Sequence, residues 1–304
     1  MIRATDPAVV EERRPSTTSP EACGPLHPAL REVHLISMNP RSSLSSSGMG
    51  NAFDTPAMAA GYARSRPAVH SLIVERARKH VRLPLPVEQA LDVGCGAGLS
   101  TRALLSLARR CLGIDPSAAM VQCATALVPA AAFMVSSAEA LPVPSHSMNL
   151  ITAAGSLDYV DLSRFFPEAG RVLVPAGVLL VYDFSQGRSF RGSPRLDTWF
   201  SEFLCRYPMP TDACHAVSPE SLCACAPGLR LDAHEDFEVS LDLTPEFYLD
   251  YMMTETNVAH AIQRGVQEPC IRSWCAETLA PVFQGRPREV LFRGYLACLV
   301  NETP

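Results

Sequence analysis

The sequence predicts an α/β fold built on a parallel sheet. Two observations carry that reading. From residue 83 to residue 185 short apolar strand patterns alternate with helical ones, and strands joined through helices lie parallel. Inside this stretch Leu91-Asp92-Val93-Gly94-Cys95-Gly96-Ala97-Gly98-Leu99-Ser100 reads as strand, tight glycine turn and helix. Glycine accepts positive φ and has no Cβ, so such a turn lets backbone approach a ligand closely. The helix start adds unpaired N–H groups.

Taken in order, residues 1–50 carry Pro15, Pro20, Pro25, Pro28 and Pro40 among others, and a serine cluster from Ser42 to Ser47. That composition predicts a disordered extension. Glu11, Glu12, Glu21 and Glu32 argue against a mitochondrial transit peptide. Met38 and Met49 offer alternative starts. Residues 51–304 are expected to form one domain. Pro67 suits the first position of a helix, with Val69, Leu72, Ile73 and Val81 at mostly helical spacing. Gln89 to Val93 predicts the first strand, Leu99 to Leu107 a helix, and Arg110 to Ile114 a second strand ending on Asp115. Residues 186 to about 235, rich in Arg, Pro and Cys, read as an insertion within a span, 186–282, that also holds cap helices. Glu238 to Leu243 alternates as a strand, and Thr244 caps a helix with Pro245 first. Helices are expected over Pro245–Arg264 and Pro269–Leu279, then a final strand over Arg288–Val300.

The glycine spacing separates two ligands. A dinucleotide site expects G-x-G-x-x-G, but here Leu99 stands where the third glycine belongs. Asp92-x-Gly94-x-Gly96-x-Gly98, followed by Asp115, instead resembles the first motifs of the class I S-adenosylmethionine-dependent methyltransferases. Ser136 to Pro142, Ser145 to Tyr159 and Phe165 to Ser185 extend the resemblance over about 100 residues. The subgroup it resembles is the small-molecule one of quinone-biosynthesis and trans-aconitate type. That implies a Rossmann-like, seven-stranded, mostly parallel sheet with helices on both faces. It also implies an antiparallel last strand and a helical cap over the cofactor.

The resemblance carries over to site residues. It implies S-adenosyl-L-methionine as cofactor and a small-molecule methyl acceptor. Phe53, Tyr62 and Arg66 fall in the amino-terminal helix that closes over the cofactor. Asp92 falls at the methionine end, Gly94, Cys95, Gly96 and Gly98 at the loop, and Asp115, Pro116 and Met120 at the ribose side. Ser137, Ala138 and Glu139 fall at the adenine edge, and Ala154 at the end of the fourth strand. Many members carry Asp where Asn149 stands, which puts any role of that acid in doubt.

Simpler roles stand beside these. The glycines would also permit helix to pack on strand. Asp92 could bond loop amides, and Asp115 could cap the helix at Pro116. Cys95 reads as a packing residue, open to alkylation only with the cofactor site empty. The candidate catalytic residues are Asp158 and Tyr159, beyond the fourth strand, where ligands of open α/β sheets bind. Asp158 could be a base, an amine binder or a solvated acid, and Tyr159 could stack on substrate or pack. Thr254 to His260 resembles the substrate-side segment, with His260 read as structural.

Composition narrows the classes further. The chain of 304 residues is 47% hydrophobic, with a formal charge of −5, which argues against general nucleic-acid binding. Lys79 is the sole lysine, so neither a P-loop nor a Schiff base is expected. Eleven cysteines, with no apolar run long enough to span a bilayer, read as reduced thiols of a cytoplasmic protein. Cys205, Cys214, His215, Cys223 and Cys225 cluster, but not at zinc spacing, so no metal is expected. Rival readings are an NAD(P)-dependent oxidoreductase and a non-catalytic binding module.

Overall fold

In the computed structural model of the chain, residues 55–210, 217–219, 221–222 and 226–302 are described. The expected extension, Phe53, and Cys214, His215, Cys223 and Cys225 lie outside them. The strands are β1 (Val87–Val93), β2 (Ala108–Asp115), β3 (Ala132–Val135), β4 (Met148–Ala154), β5 (Leu173–Phe184), β6 (Ser189–Phe190), β7 (Leu229–Leu243) and β8 (Arg288–Asn301). They form one sheet in the order β3-β2-β1-β4-β5-β8, with β7 on the far side of β8 and β6 paired to β8 beyond the end of β5. β1 to β5 run parallel, and β8 is antiparallel to both β5 and β7. The expected mostly parallel sheet with a reversed last strand is therefore present, and the two-residue β6 is an addition to it.

The helices are α1 (Pro56–Ser65), α2 (Val69–Ala77), α3 (Leu99–Leu104), α4 (Ala118–Leu127), α5 (Leu162–Val172), α6 (Arg195–Arg206), α7 (Pro245–Met252), α8 (Thr256–Gln263) and α9 (Glu268–Phe283). Local chemistry sets several ends. Thr55 caps α1 by accepting from Met58 N, with Pro56 behind it, and Thr244 does the same for α7 by accepting from Phe247 N. Pro67 is not the first residue of α2, as expected, because it ends α1. The residue before a proline is driven out of the helical region, and Arg66 is extended at φ −79°, ψ 131°.

Three other expectations shift. The Pro245–Arg264 helix is broken in two, because Thr254 turns its hydroxyl back to Tyr251 O and Glu255 is extended at φ −75°, ψ 148°. β7 starts at Leu229, inside the expected insertion, because its whole length pairs with β8. α3 stops at Leu104, short of Leu107.

Side chains alternate across a strand, so β5 feeds two cores. Leu180 and Tyr182 enter one, with Ile73, Leu104, Phe203 and Phe283. Leu179 and Val181 enter the other, with Phe165, Phe166 and Val172. A third, small cluster joins Ala59 of α1 to Ala97, Ala119 and Met120, with Tyr62 and Ala63 against it. It lays α1 over the glycine turn.

Candidate functional site

The site forms at the carboxyl ends of β1, β2, β4 and β5. All three glycines of the turn have positive φ, at 69°, 52° and 86° for Gly94, Gly96 and Gly98. Their surroundings differ. A Cβ on Gly94 would strike the Ser156 side chain, and one on Gly98 would lie 3.1 Å from Ala124 Cβ. A Cβ on Gly96 would meet nothing within 4 Å among the described residues. Packing thus accounts for the outer two glycines, while the middle one faces open space.

Asp115 Oδ2 accepts from Gly96 N at 2.9 Å, and its Oδ1 accepts from Ser117 N at 2.9 Å. It is not the cap of the next helix. Ser117 holds that position by accepting from Met120 N, and α4 begins at Ala118 rather than Pro116. Pro116 is exposed and Met120 buried.

Asp92 is fully buried. Its oxygens accept from Ser100 Oγ and Thr101 Oγ1, both at 2.6 Å, and from Thr152 Oγ1 at 2.8 Å. The expected loop-amide bonds are replaced by three hydroxyls, which tie β1 to α3 and β4. Burial pushes this carboxyl above its usual range, and the hydroxyls hold it back. Cys95 is buried, and its thiol is pushed up by burial and then by Asp92 and Asp115. It is not poised for alkylation, because a thiol kept protonated is a poor nucleophile.

Along the segment expected at the adenine edge Ala138 is buried and Ser137 exposed, and Glu139 accepts from Asp161 N at 3.0 Å. That bond turns the Glu139 carboxylate toward the start of α5. Ala154, half-buried, ends β4. Beyond it Asp158 accepts from Val217 N at 3.1 Å, so it is not simply a solvated acid. Tyr159 is 58% exposed. Asn149 sits at the opposite end of β4, where its Oδ1 accepts from Gln89 N. That position is remote from the cofactor end, so the Asp-to-Asn departure does not touch the site.

Tertiary packing brings further residues to the site. Arg66 reaches from the end of α1 to Glu255, with Nη1 and Oε1 2.9 Å apart, and Nη2 donates to Thr254 O. Its guanidinium lies 4.3 Å from the Tyr62 ring centre and 5.1 Å from that of Tyr251. Burial works against the Arg66 charge, but Tyr62, Glu255 and Tyr251 raise its pKa. Its Nε is buried with no hydrogen-bond acceptor among the described residues. Beside it opens a cavity of about 100 Å³ lined by His70, Leu99 and Arg102 among others. His70 Nδ1 lies 3.0 Å from Tyr182 Oη. Burial, with help from Arg66 and Arg102, lowers the His70 pKa to about 4, so the ring is neutral. On the other face of β5, burial and then Asp158 raise the Asp183 carboxyl to about 7. No group of three or more metal-ligating side chains occurs among the described residues. No helix among them is long and apolar enough to cross a membrane.

Comparison with known proteins agrees with this geometry. The family model described as "Methyltransferase domain" matches residues 91–181, from β1 to β5. A methyltransferase of Mycobacterium tuberculosis H37Rv, described as uncharacterized, is 31% identical over 97 residues, covering 32% of this chain and 40% of its own. A trans-aconitate 2-methyltransferase of Escherichia coli is 38% identical over 122 residues, covering 39% of this chain and 45% of its own. The chain thus spans under half the length of the curated relatives it matches. A solved protein described as a type II methyltransferase, from Anaeromyxobacter dehalogenans, superposes with a TM-score of 0.57. It is 22% identical and covers 76% of this chain and 95% of its own. Residues 91–181 thus match a methyltransferase domain, and the fold is similar to that of the Anaeromyxobacter protein.

Proposed function

We propose that the chain transfers a methyl group from S-adenosylmethionine to a small-molecule acceptor. One observation supports this above the others: the open Gly96 turn is bonded to the acid at the end of β2, inside the segment that matches a methyltransferase domain. The same match, with Leu99 in place of a third dinucleotide glycine, argues against the NAD(P) reading. The name of the trans-aconitate relative speaks for a small acceptor.

The residues present fit the cofactor. Asp115, at the end of β2 beside the turn, is a carboxylate of the kind that accepts ribose hydroxyls, and Gly96 next to it admits a close approach. Arg66 Nε, buried without an acceptor beside the cavity, suits the carboxylate of the methionine end. Asp92 serves indirectly, since its three hydroxyl bonds hold the turn in shape. Ser137, Ala138, Glu139, Ala154 and Met120 are proposed to complete the cofactor's surroundings. S-adenosylmethionine supplies a methyl already activated by a positive sulfur, so this chain's task is alignment and the exclusion of water. α1 performs the second part by covering the turn through Ala59 and Tyr62. Asp158 and Tyr159 are proposed to border the acceptor from beyond β4. Residues 51–304 are read as one working domain, cytoplasmic by their reduced cysteines.

Incubation with methyl-labelled S-adenosylmethionine and pooled acids, amines and phenols tests the reading. Label should move into the small-molecule fraction as S-adenosylhomocysteine accumulates. No transfer to any of the three classes would count against it.

A further inference from the structure

Asp183 stands one residue before the end of β5, at the end of the sheet where ligands of open α/β folds bind. It is half-buried, and its Oδ1 accepts from Phe184 N at 2.7 Å. Gly155, just past β4, makes room for this carboxyl. Gly155 takes φ 62°, and a Cβ there would lie 3.1 Å from Asp183 Oδ1. Asp183 Oδ2 accepts no hydrogen bond among the described residues, yet it is not sealed from solvent. Tyr295 stands opposite Asp183 in the β5–β8 register, but it gives its hydroxyl proton to Val217 O at 2.8 Å. The second carboxyl oxygen is thus held in place without being satisfied.

Asp183 and Asp158 line one narrow cleft with Gly155, Val217 and Tyr295, and no basic side chain lines it among the described residues. Asp158 enters from the link after β4, beside the end of the strand where the acceptor is placed. The arginines of this end of the sheet lie elsewhere. Arg66 packs on Tyr251 and pairs with Glu255, and Arg188 packs on Phe200, against the core on the opposite face of β5. Asp115 is three strands away, at the end of β2. Two carboxyls without a fixed cation suit a ligand that brings one, and repel a ligand that brings a further carboxylate.

We propose that Asp183 is the base that takes a proton from an amine acceptor, so that the chain methylates nitrogen. This rests on the proposed function. An ammonium has no lone pair to offer, so its proton must leave before the methyl arrives. Asp183 Oδ2 receives that proton. The freed nitrogen pair forms the N–C bond, and the pair of the broken C–S bond stays on sulfur as S-adenosylhomocysteine leaves. A carboxylate acceptor would need no base at all. Burial and then Asp158 set the Asp183 carboxyl at about 7, so both of its forms are present at neutral pH. The ionised form is the working one, and the titratable groups that face it are Asp158 and Tyr295.

Methyl-labelled S-adenosylmethionine and the full chain test this, with amines, phenols and carboxylic acids each supplied as a separate pool. Label should enter the amine pool. Asp183→Asn should lower that transfer about 100-fold or more, the usual worth of a positioned base. The unaltered chain's rate should rise with pH through about 7, and the variant should lose that rise. Asp158→Asn should move the rise to lower pH, because a like charge is removed. Calorimetry should find S-adenosylhomocysteine bound by Asp183→Asn within about twofold of the unaltered chain, which also shows that the variant folds. Label confined to phenols or acids would overturn this inference alone. So would unchanged transfer, or an unchanged pH profile, in Asp183→Asn. Equal losses of S-adenosylhomocysteine binding and of transfer would make Asp183 a cofactor or folding residue instead. No transfer to any pool would overturn the proposed function and this inference together.

Discussion

Gly96 donates its backbone N–H to Asp115 Oδ2 at 2.9 Å, which binds the turn after β1 to the acid at the end of β2. The bond fixes one oxygen of the acid, and Ser117 N fixes the other from the opposite side. The carboxylate is held before any ligand arrives, so ligand binding need not pay to order it.

Replacing Asp115 by Ala should therefore weaken S-adenosylhomocysteine by about 1.5–3 kcal/mol, the usual worth of a charge-assisted contact. The sheet should persist. Calorimetry with far-UV circular dichroism reads both. Unchanged affinity in a folded variant would remove the ribose role.

The glycines of the turn should respond differently to the same small change. Gly94→Ala drives a methyl into Ser156, so it should lower the thermal midpoint markedly. Gly96→Ala meets no atom of the described residues and should cost only the positive-φ strain, about 1 kcal/mol. Its loss should appear instead in cofactor affinity. Equal effects of the two substitutions on stability would contradict this division.

The turn was legible because its signal is local: an apolar strand, three glycines and a helix start within ten residues. The acid at 115 followed from the next strand. The partners of the charged residues were not legible in the same way. Arg66 was placed by the motif around Tyr62, but its partner Glu255 is far off in the chain, and the two meet only through the packing of α1 against the α7–α8 break. No spacing rule links such residues. His70 and Asp183 are inconspicuous in sequence, and burial alone gives them their character. The start of β7 was missed because Glu235 interrupts the alternation of Leu229, Leu231, Ala233 and Phe237, and long pairing with β8 overrides that break.

His70 and Asp183 should tilt the pH dependence of stability in opposite directions. Burial lowers the folded pKa of His70 from 6.5 to about 4. Between those values the unfolded chain binds a proton that the folded one refuses, so stability falls as pH drops from 6.5. Burial raises the folded pKa of Asp183 from 3.8 to about 7. There the folded chain holds the extra proton, so stability is lost as pH rises toward 7. Each group contributes a slope of up to about 1.4 kcal/mol per pH unit. Denaturant unfolding from pH 4.5 to 6.5 should therefore show a more negative slope in His70→Gln than in the unaltered chain. Asp183→Asn should shift it the other way. Shifts of the same sign would refute the pair of assignments.

The Arg66–Glu255 ion pair joins the end of α1 to the break between α7 and α8. Both side chains are largely buried, at 18% and 8% exposure. Glu255→Gln leaves a buried guanidinium short of its counter-charge and should destabilise the fold by about 1–3 kcal/mol. Arg66→Met with Glu255→Gln should cost less than the sum of the two single changes. Additive losses in urea unfolding would show that the pair does not couple the two regions.

The central claim is that this turn and acid hold an adenosyl sulfonium cofactor. Its most direct test is a calorimetric titration of the folded chain with S-adenosylmethionine, S-adenosylhomocysteine and NADPH, repeated with Asp115→Ala. Saturable binding of the first two at one site per chain, weakened in the variant, with no heat from NADPH, is the predicted result. Binding of NADPH without either adenosyl compound would contradict the account.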